Sequence, residues 1–222
     1  MTDFHYAHKN TQEGERVTKT APFNKPQISE EILSLRQNAF MAEIPVSDDE
    51  TLNFLTTLVS ALKPERILEL GTAVGASGAA MLEACSVAHL TTVERDEDFY
   101  KAAVGNFNML NLSKRVTAIS GDAGEVINGL PENSFDFIFL DCAKVQYIKY
   151  LPRLKKLLKK GGVLLADDIL LFGYITGEAE VPKKRKMLVE HIKEYISAVT
   201  NDGELYTTVL DIGNGVAMSV KK

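Results

Sequence analysis

The sequence has few cysteines and lacks any long apolar run. Cys85 and Cys142 are its two cysteines, and neither lies in a CxxC pair or near a histidine at metal-ligand spacing. This argues against a disulfide framework and a thiolate zinc site, and fits a reducing compartment. The longest apolar run, around residues 162–166, is about six residues, whereas a membrane-spanning helix needs roughly 20. With its polar N-terminus, the chain is expected to be cytoplasmic, without a membrane partner.

The sequence also lacks an excess of positive charge and a linker-like segment. Its net charge is −5 and its pI about 5.5, so the whole molecule repels nucleic-acid phosphates, and any nucleic-acid contact has to be local. At 222 residues and 45% hydrophobic content, the chain can bury one substantial core. We therefore expect a polar arm over residues 1–26 and one domain over residues 27–222.

Apolar spacing predicts two helices near the N-terminus. The first follows Ser29, a candidate N-cap, and the second follows Ser47 and stops at Pro64. Short apolar runs then alternate with helical patterns, and they predict strands over residues 66–71, 89–96, 116–122, 135–141 and 161–168. The last two runs are apolar at nearly every position, as burial on both faces of a parallel sheet requires. The pattern predicts an α/β fold, a doubly wound sheet with helices on both faces.

The C-terminal part has a different pattern. A helix over residues 187–199 precedes two strands joined by Gly213 and Asn214, a hairpin-type turn, so we expect an antiparallel edge. The basic run at residues 153–160 is interpreted as the solvated face of a helix. The apolar stripe of that helix is predicted to comprise Ile148, Leu151, Leu154 and Leu158.

The turn after the first predicted strand is rich in small residues. Gly71 and Gly75 would let the backbone approach a ligand closely, and Ser77 with free helix N–H groups could hold a carboxylate. Glu69 could bind a ligand ammonium. The glycine spacing differs from GxGxxG, which disfavours a nicotinamide dinucleotide.

Two acids follow the next two strands. Glu94 comes 23 residues after Gly71, where an acid can bind both hydroxyls of a ribose. Asp122, in the sequence Gly-Asp-Ala, could face an adenine amino group. Each such acid alone is ordinarily a helix cap. Together with the glycine turn, at three adjacent strand ends, they predict a nucleoside pocket.

Three further acids end the fourth and fifth predicted strands. If these strands are neighbours, about 4.8 Å apart, then Asp141, Asp167 and Asp168 converge. Three hard oxygen ligands suit Mg²⁺, Mn²⁺ or Ca²⁺. The alternative is that Asp141 is a helix cap and that the other two lie in a solvated loop.

With these motifs the chain resembles class I S-adenosylmethionine-dependent methyltransferases of the cation-dependent catechol and caffeoyl-CoA type. The resemblance runs from Ile44 to Lys222 and is carried by ILELGTAVGAS, VERD, GDA, FLDCAKVQY and LLADD. It implies a Rossmann-like seven-stranded sheet, order 3-2-1-4-5-7-6 with strand 7 antiparallel, and a homodimer. The methyl donor would be bound by Val46, Glu69, Gly71, Thr72, Gly75, Ser77, Glu94, Arg95, Asp122, Ala123 and Asp141.

The resemblance also implies a mechanism. A phenol with a pKa near 10 costs roughly 4 kcal/mol to ionise at pH 7, and a bound dication offsets most of that. Lys144 corresponds to the general base, its pKa lowered by the dication, and Asp141 acts with it. Cys142 is interpreted as packing, since direct transfer needs no covalent intermediate. The chain departs from the family pattern in having Asp168 where Asn is usual and Ala143 where Asp is usual.

Two acceptors satisfy this chemistry, a catechol-like small molecule and 5-hydroxyuridine in tRNA. The basic residues 183–186 and the similarity of this region to tRNA hydroxyuridine methyltransferases favour tRNA, and the acidic net charge favours a small phenol. The prediction leans to tRNA. A third alternative is a module that binds S-adenosylmethionine without turnover, which would need neither Lys144 nor a metal.

Overall fold

One seven-stranded sheet organises the chain. The computed structural model describes Thr18 and residues 21–222, so the arm predicted over residues 1–26 lies largely outside them and its boundary stays a prediction. The strands are β1 (Arg66–Leu70), β2 (His89–Glu94), β3 (Val116–Ser120), β4 (Phe135–Leu140), β5 (Leu158–Ala166), β6 (Leu205–Leu210) and β7 (Val216–Lys221). Their order is β3-β2-β1-β4-β5-β7-β6. The first five pair in parallel and β7 is antiparallel to both neighbours, which confirms the predicted topology.

Seven α-helices surround the sheet in the described part of the chain. They are α1 (Glu30–Met41), α2 (Asp49–Leu62), α3 (Ala76–Ala84), α4 (Glu97–Met109), α5 (Ala123–Gly129), α6 (Tyr147–Leu157) and α7 (Lys186–Thr200). Ser29 is the N-cap residue of α1, but its side chain makes no capping hydrogen bond, so the predicted cap is wrong in that respect. Helix α2 ends at Leu62, and its C-cap Lys63, directly before Pro64, has a left-handed conformation. No described helix is long and apolar enough to cross a membrane.

The strand side chains alternate between two apolar layers. Leu68 of β1 packs in a buried cluster with α6 and α7, whereas its neighbour Ile67 packs in a second cluster with α2 and α3. In β4, Ile138 and Phe139 divide between the same two clusters. Both faces of the central strands are therefore covered, as their continuous apolar sequence predicts.

The junction between α6 and β5 differs from the prediction. The helix ends at Leu157 and the strand begins at Leu158, whereas the sequence interpretation placed Leu158 on the helix and began the strand at residue 161. The pairing of β4 with β5 shifts register between Phe135 and Phe137, opposite the stretch that contains Gly161. The buried stripe of α6 is accordingly Tyr147, Leu151, Leu154 and Leu157.

Candidate active site

A cavity of about 570 Å³ opens at the carboxyl ends of the parallel strands. This is the sheet edge where open α/β folds bind ligands. The structure brings most of the predicted site residues into its wall, namely Val46, Gly71, Thr72, Ser77, Glu94, Arg95, Asp122, Ala123, Asp141, Lys144, Asp167 and Asp168. Glu69 and Gly75 do not line it.

The loop after β1 presses directly on the end of β4. Gly71 has φ +101°, and a Cβ there would lie 2.0 Å from the carbonyl oxygen of Asp141. Only glycine tolerates this conformation and this approach, which brings the loop against Asp141. At Gly75, the N-cap of α3, a Cβ would instead meet the ring of Phe107 at 2.8 Å. Glycine at this position therefore lets the turn pack on Phe107 of α4, and the close approach of a ligand to Gly75 stays a prediction.

Glu69 lies beneath the loop rather than in the cavity. Its side chain is fully buried, and its two carboxylate oxygens accept hydrogen bonds of 2.6 Å from Ser77 Oγ and Thr92 Oγ1. Burial raises the pKa of Glu69 to about 7, while the two hydrogen bonds act in the opposite direction. In this arrangement Glu69 does not face the cavity, and its direct contact with a ligand ammonium stays a prediction. Glu69 positions the hydroxyl of Ser77, which does line the cavity.

Glu94 and Asp122 lie in the wall and also hold the backbone. Glu94 Oε2 accepts a hydrogen bond of 2.9 Å from Ala73 N, which ties the end of β2 to the loop after β1. Asp122 Oδ1 caps α5 by accepting from Gly124 N at 2.8 Å. Asp122 is thus the helix cap that its position predicts, and it lines the cavity as well.

The ammonium of Lys144 lies between two carboxylates. Its Nζ is 2.7 Å from Asp141 Oδ1 and 2.8 Å from Asp168 Oδ2, and its side chain is 17% exposed. Burial lowers the pKa of Lys144, but the charges of Asp141 and Asp168 outweigh burial and hold that pKa well above its ordinary value. In this arrangement Lys144 is a charged hydrogen-bond donor.

Asp167 is the most buried of the three acids that follow β4 and β5. Its Oδ1 accepts hydrogen bonds from Thr51 Oγ1 at 3.3 Å and from Asp168 N at 2.7 Å. Burial raises the pKa of Asp167 well above its ordinary value, and the nearby charges of Asp168, Asp141 and Asp48 raise it further. Asp141, Asp167 and Asp168 therefore lie around the ammonium of Lys144, and the repulsion between these carboxyl groups favours the protonated form of Asp167.

The acids fit a hard cation by chemistry and charge. Asp48, Asp141, Asp167 and Asp168 bring carboxylate oxygens to one cavity wall, and such oxygens are the ligands of Mg²⁺, Mn²⁺ and Ca²⁺. Among the described residues, however, no three acidic, histidine or cysteine side chains form a ready metal-binding group. The arrangement is an ion-pair network centred on Lys144.

Sequence reasoning missed Asp48 and Ser47. Asp48 caps α2 through Thr51 N at 2.8 Å, and burial raises its pKa, with a further contribution from Asp168. Ser47 Oγ donates to Asp141 Oδ2 at 3.5 Å. The signal for Asp48 was the run of acids at residues 48–50, directly after Ser47. Tyr150, Phe172 and Asn214 of the wall were missed as well.

Cys142 lies in the cavity wall, but its thiol is not activated. Burial raises the pKa of Cys142 to about 12, although the charge of Lys144 lowers it in part. A thiol with so high a pKa is a poor nucleophile at neutral pH. This agrees with the interpretation of Cys142 as packing.

Comparisons with known proteins identify the family of the chain. The sequence model of the O-methyltransferase family matches residues 19–222. The caffeoyl-CoA O-methyltransferase of Populus kitakamiensis is 27% identical over 79% of this chain and 76% of its own length. The flavonoid 3',5'-methyltransferase of Vitis vinifera is 26% identical over 87% of each chain.

Solved structures share the fold. A candidate caffeoyl-CoA O-methyltransferase from Staphylococcus aureus is 30% identical, covers 88% of this chain and 94% of its own, and superposes with a TM-score of 0.80. The O-methyltransferase of Bacillus cereus in complex with S-adenosylhomocysteine (SAH) gives a TM-score of 0.77 at 23% identity, covering 88% and 92%. Since the family model spans nearly the whole chain and the topology agrees, the protein belongs to the O-methyltransferase family, as a class I S-adenosylmethionine-dependent enzyme of the caffeoyl-CoA type.

Proposed function

We propose that the protein methylates a hydroxyl that has a second oxygen on the neighbouring carbon, in a divalent-cation-dependent reaction, with a catechol-like small molecule as the acceptor. The observation that carries this proposal is the surplus of carboxylates around Lys144, beside a cavity that has the donor-site residues of the family. Relatives named for caffeoyl-CoA and flavonoids support a phenolic acceptor.

The residues that follow β1, β2 and β3 would form the half of the cavity that binds the methyl donor. Ser77 and the N–H groups of the loop after β1 would bind the amino-acid end of S-adenosylmethionine, since helix starts favour carboxylates. Glu94 would bind the ribose hydroxyls and Asp122 the adenine. The acceptor oxygen attacks the sulfonium methyl, a C–O bond forms as the C–S bond breaks, and S-adenosylhomocysteine leaves with the sulfur electron pair.

Asp141, Asp167 and Asp168 would hold the cation. When bound, it supplies positive charge that lowers the pKa of the acceptor hydroxyl. Asp168, in place of the usual Asn, adds one negative charge to this set. Because these residues belong to two adjacent strand ends, they also fix where the acceptor oxygens can lie.

Lys144 would take the hydroxyl proton at Nζ. Asp141 and Asp168 keep it protonated in the arrangement observed, since both accept from the same ammonium. A base role therefore requires that these carboxylates engage another positive charge, so that the pKa of Lys144 falls toward neutrality.

A tRNA acceptor, toward which the sequence leans, is the second candidate. Lys183 and Lys184 are exposed and precede α7. Helix α7 ends shortly before β6 begins, and β6 runs in the direction of β5 because both are antiparallel to β7. If α7 packs antiparallel to β6, the basic residues before it would lie at the same sheet edge as the cavity, where they could bind phosphates.

An acceptor assay separates the two candidates. Methyl transfer from labelled donor is measured with catechol and with tRNA that contains 5-hydroxyuridine. The double substitution Lys183→Glu and Lys184→Glu should leave turnover of catechol unchanged and, if tRNA is the acceptor, lower transfer to tRNA at least tenfold. Lys114→Glu, an exposed lysine next to the start of β3 at the opposite sheet edge, is the control. Turnover of tRNA alone would contradict the catechol proposal.

Replacement of Asp141 tests the reaction centre. Asp141→Ala removes an oxygen that bonds Lys144 and an anticipated cation ligand, so we expect turnover to fall by about 100-fold or more while much donor affinity remains. Steady-state kinetics and donor titration by calorimetry measure the two effects. The control is Asp98→Asn, in the exposed first turn of α4. Parental activity in the Asp141 variant would refute its role.

A further inference from the structure

The turn between β6 and β7 brings Asn214 into the cavity wall, and no step described so far uses this residue. The sequence marked Gly213 and Asn214 only as a hairpin turn. In the structure the turn reaches the acidic end of the cavity, because Asn214 N donates to Asp48 Oδ2 at 3.3 Å. Asn214 O accepts a hydrogen bond of 2.8 Å from Leu170 N, in the segment after β5.

The turn packs closely against the start of α2 on one side and the segment after β5 on the other. At Gly213, which has φ +53°, a Cβ would lie 2.0 Å from Asp48 Oδ2. At Gly215 a Cβ would lie 2.2 Å from Leu170 Cγ. Glycine on both sides lets the chain fit between α2 and the β5 segment, and this fixes the backbone of Asn214 on two sides.

The side chain of Asn214 is left with an unmet hydrogen-bonding capacity. Its Oδ1 is shielded from solvent and has no hydrogen-bond donor among the described residues. An unsatisfied buried carbonyl costs free energy, and native proteins keep few of them. The torsion that turns an Asn carboxamide is soft, so this oxygen can rotate toward a molecule in the cavity at little cost.

We propose that Asn214 is a specificity-determining residue for the methyl acceptor, whose Oδ1 accepts a hydrogen bond from an O–H or N–H group beside the reacting hydroxyl. This inference rests on the proposed function. It adds a requirement that cation chelation does not impose, since chelation needs two oxygens but no second donor. Acceptors with a free neighbouring hydroxyl are therefore preferred over those in which that oxygen carries a methyl group.

Two matched acceptors test the proposal with the whole chain. Catechol and 2-methoxyphenol both carry a hydroxyl next to a second oxygen, and only catechol has the second donor. The parent protein should prefer catechol in kcat/KM, and Asn214→Leu should lose about 5- to 10-fold of that preference, chiefly through KM for catechol. Asn214→Asp, which keeps an acceptor oxygen at the same place, should retain the preference. Asn128→Leu, on the exposed side of α5, is the control.

The outcomes are distinct. Equal losses on both acceptors in Asn214→Leu, or an unchanged preference, overturn the inference and leave the proposed function standing. Equal kcat/KM of the parent protein for catechol and 2-methoxyphenol also overturns the inference. This comparison needs no variant, so it holds even if Asn214→Leu does not fold. A parent protein that methylates neither acceptor overturns the proposed function and this inference together. Calorimetric titration of S-adenosylmethionine should give the same Kd for the parent and Asn214→Leu.

Discussion

Among single residues, Lys144 has the largest influence on the acidic end of the cavity, which is formed by Asp141, Asp167 and Asp168. It bonds both Asp141 and Asp168, the same carboxylates that would attract a cation. In the proposed mechanism, Lys144 and a divalent cation would therefore compete for the same oxygens. Such competition would let Lys144 be an ion-pair partner in the free protein and a base during turnover.

Replacement of Lys144 separates these two roles. In Lys144→Met we expect kcat to fall about 10²- to 10⁴-fold, as for a lost general base, with donor affinity little changed. We also expect Mg²⁺ to raise the Tm of this variant more than that of the parent, because the competing ammonium is gone. Kinetics and calorimetric melting measure the effects. Lys149→Met, an exposed change on α6, is the control, and equal Tm shifts would count against the competition.

Glu69 links the site to pH. Burial raises its folded pKa to about 7 from an ordinary 4.5, with smaller contributions from Asp141 and Glu94. In this range the folded state binds a proton that the unfolded state has lost, so the free energy of unfolding falls as pH rises. The loss between pH 5 and pH 8 should be roughly 2–3 kcal/mol. Urea titrations at both pH values measure the difference in free energy of unfolding between the parent and Glu69→Gln, which should change by this amount. A difference that does not depend on pH would exclude the raised pKa of Glu69.

At the scale of elements, two tyrosines join α6 and α7. The rings of Tyr147 and Tyr195 meet edge to face, with centroids 5.4 Å apart. Tyr147 donates to Leu140 O at 2.8 Å, which ties α6 to the end of β4. The buried hydroxyl of Tyr195 has no partner among the described residues. The pair thus shares one packing environment and differs in hydrogen bonding.

This difference predicts opposite effects of one substitution. Tyr195→Phe removes an unsatisfied hydroxyl and should raise the free energy of unfolding by about 1 kcal/mol. Tyr147→Phe removes a made hydrogen bond and should lower it by about 1 kcal/mol. Urea unfolding of both variants measures the change. A loss of similar size in both would show that the hydroxyl of Tyr195 is satisfied.

The elements show what sequence patterns can reveal. Short apolar runs located the strands, and in β4 burial on two faces leaves a nearly continuous apolar sequence. The helix-to-strand change at Leu158 was missed, because Leu158 continues the apolar spacing of α6 into the strand. Glu69 and Gly75 belong to the family motif, yet in the fold Glu69 is buried and Gly75 packs against Phe107. Asp48 and Asn214 meet only through folding, so no local pattern could join them.

At the scale of the whole molecule, the site spans most of the chain. Its wall runs in sequence from Arg36 to Asn214, so the donor and acceptor halves exist together only when the sheet and the α2 cap are formed. A net charge of −5 agrees with an acidic end of the cavity that attracts cations. The homodimer implied by the family resemblance stays a prediction.

Cation dependence is the feature on which the proposed chemistry rests. The decisive measurement is methyl transfer from labelled S-adenosylmethionine to catechol by metal-stripped protein, with EDTA and then with increasing Mg²⁺, Mn²⁺ or Ca²⁺. We predict no transfer above background in EDTA and saturable recovery with at least one of the three ions. Equal rates of transfer to catechol in EDTA and in each of these ions would contradict the assignment of Asp141, Asp167 and Asp168 as cation ligands.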